Sequence, residues 1–140
     1  MTSPSPRPAG RPTLEGGRAP RIHSFEEFWP FYVSQHRRHG TRVLHFAGTT
    51  LGFLFLARAV TSGRPVFLLW GLVAAYGLAW IGHFFIEKNR PATFQYPLWS
   101  FLGDMKMYAL MWRRKMTAEA ERLGFGERGE ARTVADHPAS

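Results

Sequence analysis

The chain has 140 residues, 45% of them hydrophobic, and a formal net charge of +8; the length suits one domain and excludes two ordinary ones. Cysteine is absent, which excludes disulfides, thiolate-ligated haem, cysteine-held iron-sulfur clusters and cysteine nucleophiles, and leaves His, Asp and Glu for metal or catalytic work. The positive charge flanks an apolar centre, with Arg37, Arg38 and Arg42 before it and Lys88, Arg90 and Arg113 to Lys115 after it, so anionic lipid headgroups explain it better than nucleic acid, which is not expected as a partner.

In chain order, residues 1–22 carry five prolines and no apolar periodicity, and they read as a disordered Pro/Arg-rich tail. Ser24 opens a helix with Glu27 placed to complete a capping box, and Phe25, Phe28, Tyr32 and Val33 form its apolar side. Pro30 lies within that helix; Gly40 is expected to end it and Thr41 to cap the next. Val43 to Val60 is an 18-residue apolar run interrupted by His45 and Arg58, and Arg58 can snorkel. After the turn at Thr61 to Pro65, Val66 to Ile86 gives 21 residues without a formal charge, long enough at about 1.5 Å per residue to cross a ~30 Å hydrocarbon layer. Pro97 to Met116 forms a third apolar helix, interrupted by Asp104 and Lys106 and so expected to be half-buried, re-entrant or packed against the others. Residues 117–140 read as a polar, largely disordered C-terminal tail that starts with a frayed helix end.

These elements predict an all-α integral membrane bundle of about four helices over residues 23–116. It comprises a central transmembrane hairpin, an amphipathic N-terminal helix and the third apolar helix. The basic residues beside the two runs place both termini in the cytosol, at the inner membrane of a bacterium or the endoplasmic reticulum of a eukaryote.

The midpoint of His45 and His83 is residue 64, inside the expected turn, so an antiparallel hairpin sets the two imidazoles level. The break between the first two helices can bring His36 to the same membrane face. Three imidazoles at the edge of apolar spans are costly unless partnered, which makes the cluster a functional hypothesis. Glu87 stands at i+4 from His83, where a carboxylate can orient an imidazole or join it at a metal, and Asp104 on the third helix is the other acidic candidate. Imidazole and carboxylate without thiolate suit Fe(II), Mn or Zn with positions open for a small ligand. The same residues also fit a non-catalytic membrane protein that binds lipid or a partner, with interfacial histidines, or a bis-His haem carrier. His39 reads as a headgroup contact, and His23 and His137 as uninvolved.

The stretch Tyr32 to Gly48, containing His-Arg-Arg-His-Gly-Thr-Arg-Val-Leu-His-Phe-Ala-Gly, and the element Gly82-His83-x-x-x-Glu87-Lys88-Asn89-Arg90-Pro91-Ala92 carry a resemblance. Together with Pro97-Leu98-Trp99-Ser100 and Asp104, they are similar to the bacterial branch of a small membrane family long catalogued as a domain of unknown function. That family includes the fungal 2-hydroxy fatty acid dioxygenase of fatty-acid α-oxidation. The resemblance covers roughly residues 24–112, with Thr41 where the family often has Asn. It implies an Fe(II)-dependent enzyme that uses O2 to shorten a 2-hydroxy fatty acid by one carbon, with His36, His45 and His83 as metal ligands. On this reading Glu87 or Asp104 fixes an imidazole tautomer or completes the ligand set. Lys88 and Arg90 attract the fatty carboxylate, and the acyl chain stays in lipid or between helices.

Overall fold

The computed structural model describes residues 21–126, and the readings for residues 1–20 and 127–140 lie outside it. The first helix, α1 (Phe25–Ser34), starts as its capping residues require: Ser24 Oγ accepts the Glu27 N–H at 3.2 Å, and the Glu27 carboxylate reaches back to the His23 N–H at 3.1 Å. It ends earlier than Gly40. The chain leaves the helix at Gln35 and crosses to α2 (His39–Ser62) through a short linker. The buried Arg42 guanidinium holds that linker by donating to the carbonyls of His36 at 3.1 Å and Arg37 at 2.8 Å.

The expectation that Thr41 caps α2 is corrected. Thr41 lies inside the first turn, with its hydroxyl buried and unpaired. The orphan N–H at the start of α2 is met instead from another helix, because Glu87 Oε1 accepts the Arg38 N–H at 2.6 Å.

A turn with Gly63 in the left-handed region (φ 65°) reverses the chain into α3 (Val66–Ile81). This helix continues without a break into a π-helical turn, Gly82–Glu87, which closes at Lys88 (φ 56°). Counted through that turn, α2 and α3 have 24 and 22 residues, and both are long and apolar enough to cross a membrane.

Their contact depends on small residues. A Cβ on Gly48 would lie 3.0 Å from the Ala75 carbonyl oxygen, and one on Gly71 would lie 3.2 Å from Phe55 Cβ. Gly48/Gly52 on one helix therefore faces Gly71/Ala75 on the other at backbone range. The large apolar side chains point away from this seam: Leu54, Val60, Leu69, Trp70 and Phe85 are all more than half exposed.

A 3-10 turn (Ala92–Phe94) leads into α4 (Pro97–Trp112), which has Pro at its first position. The single helix expected to reach Met116 is two. Arg114 takes a positive φ of 55° after Trp112, and a short α5 (Met116–Arg122) follows. With 16 residues, α4 is about 24 Å long and falls short of a ~30 Å hydrocarbon layer. It packs on α1 and α2.

Phe28, Trp29, Tyr32 and Val33 of α1 join Ala92, Met107, Met116 and Ala120 in a buried aromatic layer. The Glu119 carboxylate, accepting the Trp29 indole N–H at 2.8 Å, ties α5 to this layer. The described residues thus contain five α-helices and no strand.

Candidate metal centre

The three predicted histidines meet where the hairpin joins the aromatic layer. His45 comes from the second turn of α2, His83 from the π-helical turn and His36 from the linker after α1. All three are buried. His36 Nε2 lies 3.1 Å from His45 Nε2, and His45 Nε2 lies 3.3 Å from His83 Nε2. Gly82 makes the approach possible, because a Cβ there would sit 2.9 Å from Thr41 Cγ2 and push the π-helical turn off the start of α2.

The opposite nitrogen of each ring is occupied. His36 Nδ1 is 2.7 Å from the Tyr32 carbonyl, His83 Nδ1 is 2.8 Å from Asn89 Oδ1, and His45 Nδ1 is 3.2 Å from Asp104 Oδ1. A carbonyl and a carboxylate can only accept, and the Asn89 amide is oriented by donating from Nδ2 to the Gln35 carbonyl at 2.9 Å. Each imidazole can therefore keep a proton on Nδ1, the tautomer that turns its Nε2 lone pair toward the other two. Burial, followed by the neighbouring rings, holds His36 well below its ordinary pKa and keeps that ring neutral.

In that tautomer three lone pairs face one another and repel, and a cation removes the repulsion. Nitrogens about 2.1 Å from a metal stand about 3.0 Å apart at right angles and about 3.4 Å apart in a tetrahedron. The observed 3.1 and 3.3 Å fall in that range. The donor set, its spacing and the hydrogen bonds behind each ring all fit a metal ion.

The acidic candidates separate. Asp104 is at the centre, where its Oδ1 also accepts from the Tyr32 hydroxyl. Burial and the neighbouring carboxylate push that phenol well above its ordinary pKa, so it remains a donor. Tyr32 in turn stacks on His36 with centroids 4.1 Å apart. Glu87 stands elsewhere, on the Arg38 N–H, and the oxygen that orients His83 belongs to Asn89. The i+4 rule missed this because a π-helical turn does not keep α-helical spacing. Lys88 and Arg90 are exposed just after that turn, with the Arg90 guanidinium 5.3 Å from the Phe94 ring centre. His39 and His23 are exposed and outside the cluster, and His137 lies outside the described residues.

Beside the cluster lies a cavity of about 440 Å³, bordered by His45, His83 and Asp104 but not by His36. The centre is therefore reached from one side, with His36 sealed behind it against Tyr32.

Residues 22–116 match the family model described as 2-hydroxy-palmitic acid dioxygenase Mpo1-like. The chain belongs to this Mpo1-like family. The matched segment spans α1 to α4 and contains all three histidines, Asn89 and Asp104. No curated protein and no solved structure matches the chain.

Proposed function

We propose that the chain is a membrane-embedded, non-haem Fe(II)-dependent dioxygenase that uses O2 to shorten a 2-hydroxy fatty acid by one carbon. One observation carries the reading: three buried imidazoles turn Nε2 toward one another while every Nδ1 is met by an acceptor. The family's description supplies the reaction class. His36, His45 and His83 would hold the metal. Iron(II) bound there would supply the one-electron chemistry with O2 that no side chain of this protein offers.

The protein's own groups set up the site. Asp104, Asn89 and the Tyr32 carbonyl hold the three rings in one tautomer and make them better donors. The Tyr32 hydroxyl orients Asp104 beside His45. Lys88 and Arg90, exposed next to the π-helical turn, would draw a fatty carboxylate toward the centre. Glu87 would act on the fold, by holding the start of α2.

The membrane placement is supported by the outward-facing large apolar residues of α2 and α3. A soluble protein would bury such a surface. The arginines and lysines near the histidine end would then face the cytosol with α1, α4 and α5. A bis-His haem fits poorly, because ring centroids 4.5 to 5.2 Å apart leave no room for a macrocycle between any two imidazoles.

The test is metal content of the full chain purified in mild detergent, followed by O2 uptake with 2-hydroxy fatty acids. Near-stoichiometric iron and O2-dependent formation of the acid one carbon shorter are expected, both lost in His83→Ala. Full iron occupancy in that variant would overturn the ligand assignment.

A further inference from the structure

The residues that line the cavity beside the histidines extend along two helices. One stripe of α2 lines it, His45, Thr49, Gly52 and Leu56, opposite a stripe of α3 that runs back from His83 to Leu68. Imidazole and carboxylate groups are confined to one end, at His45, His83 and Asp104. The helical rise from His45 to Leu56 is about 17 Å, and from His83 back to Leu68 about 22 Å. Carbon–carbon bonds of about 1.5 Å advance about 1.3 Å each in an extended zigzag, so the groove has the length of about 13 to 17 such bonds.

Gly52 lines the groove about midway along the α2 stripe. A Cβ there would meet Ala75 Cβ and the Gly71 carbonyl oxygen at 3.8 Å. The backbone therefore accepts a side chain at this position, and anything larger than alanine would fill the groove about 10 Å from His45.

We propose that this groove seats the single acyl chain of the substrate, and that Gly52, together with Leu56 and Leu68 at the far end, sets the chain length the site accepts. The inference rests on the dioxygenase reading. The occupant follows from the lining: mostly apolar side chains along two helices, with imidazole and carboxylate groups at one end alone, match a single acyl chain with one polar head. Lipid is as apolar as the groove, so burial alone gives little preference, and selection by length comes from packing and steric fit.

The experiment is competition binding of 2-hydroxy fatty acids of eight to twenty carbons to the iron-loaded full chain under argon, with O2 uptake measured in parallel. For the parent, tightest binding is expected near sixteen carbons. Gly52→Leu is expected to weaken sixteen-carbon binding about tenfold while changing eight-carbon binding less than about twofold. Leu56→Ala combined with Leu68→Ala moves the optimum to longer chains, and it decides the matter if Gly52→Leu does not fold.

An unchanged length profile in the folded variants overturns the proposal, as does a parent that binds no chain length. If the profile shifts as expected but no acid supports O2 uptake, the groove assignment stands and the dioxygenase reading falls. If uptake proceeds with an unmoved profile, the reverse holds.

Discussion

The hairpin and the aromatic layer are held together by opposite means. In the hairpin the inside is small and the outside is large: Gly48 and Gly71 meet backbone while Leu54 and Leu69 face outward. In the layer the inside is large, with Phe28 and Tyr32 among the most deeply buried side chains of the chain. Hairpin stability therefore comes from close approach and layer stability from buried volume. The histidine cluster straddles the two, since His36 belongs to the layer side and His45 and His83 to the hairpin. A metal there would join regions that fold by different physics.

The contrast makes substitutions of opposite kind damaging in the two regions. The largest effect is expected from removing volume in the layer. Phe28→Ala should cost about 3 to 5 kcal/mol, read as loss of thermal stability, with the His36 side of the metal site loosened. Next are the residues behind the histidines. Asn89→Ala and Asp104→Asn should each lower metal affinity about 10- to 100-fold, measured by competition with a chelator, with helix content unchanged by circular dichroism.

Adding volume to the hairpin comes third. Gly48→Val should cost about 1 to 3 kcal/mol, because the Ala75 backbone cannot give way, whereas Leu54→Ala on the outer face should stay within about 0.5 kcal/mol. Equal costs at Gly48 and Leu54 would erase the proposed difference between seam and surface. The smallest effect concerns the attachment of α5. The Arg122 guanidinium, then the Trp29 indole, holds the Glu119 carboxyl at about 2 against an ordinary 4.5. A lowered folded-state value stabilises above pH 4.5 and is lost as the pH falls from there toward 2. Glu119→Gln should flatten that part of the melting-temperature profile, by less than about 1 kcal/mol.

Much of this arrangement was legible in the sequence. Two apolar runs and a Gly-Arg-Pro turn give the hairpin, and the symmetric numbering of His45 and His83 about that turn puts them level. The capping residues Ser24 and Glu27 give α1. What escaped depended on contacts distant in sequence or on non-α geometry. Asn89 stands six residues from His83 across a π-helical turn, a spacing no α-helical rule predicts. The end of α1 at Ser34 rests on Arg42 gripping the linker, and the start of α2 rests on Glu87 of another helix. The reading of that carboxylate as a partner of His83 had no way to anticipate this. Met116 and Ala120 look unremarkable in a polar stretch, and only the Trp29 bond to Glu119 shows why that short helix docks.

One hydrogen bond behind the imidazoles differs in kind from the others. The acceptor for His36 is the main-chain oxygen of Tyr32, which no substitution can replace. Of the three acceptors behind the rings, those at positions 89 and 104 are side chains that a substitution can exchange. Were a metal held here, exchanges at those two positions should alter its donors directly, while the acceptor behind His36 stays the same.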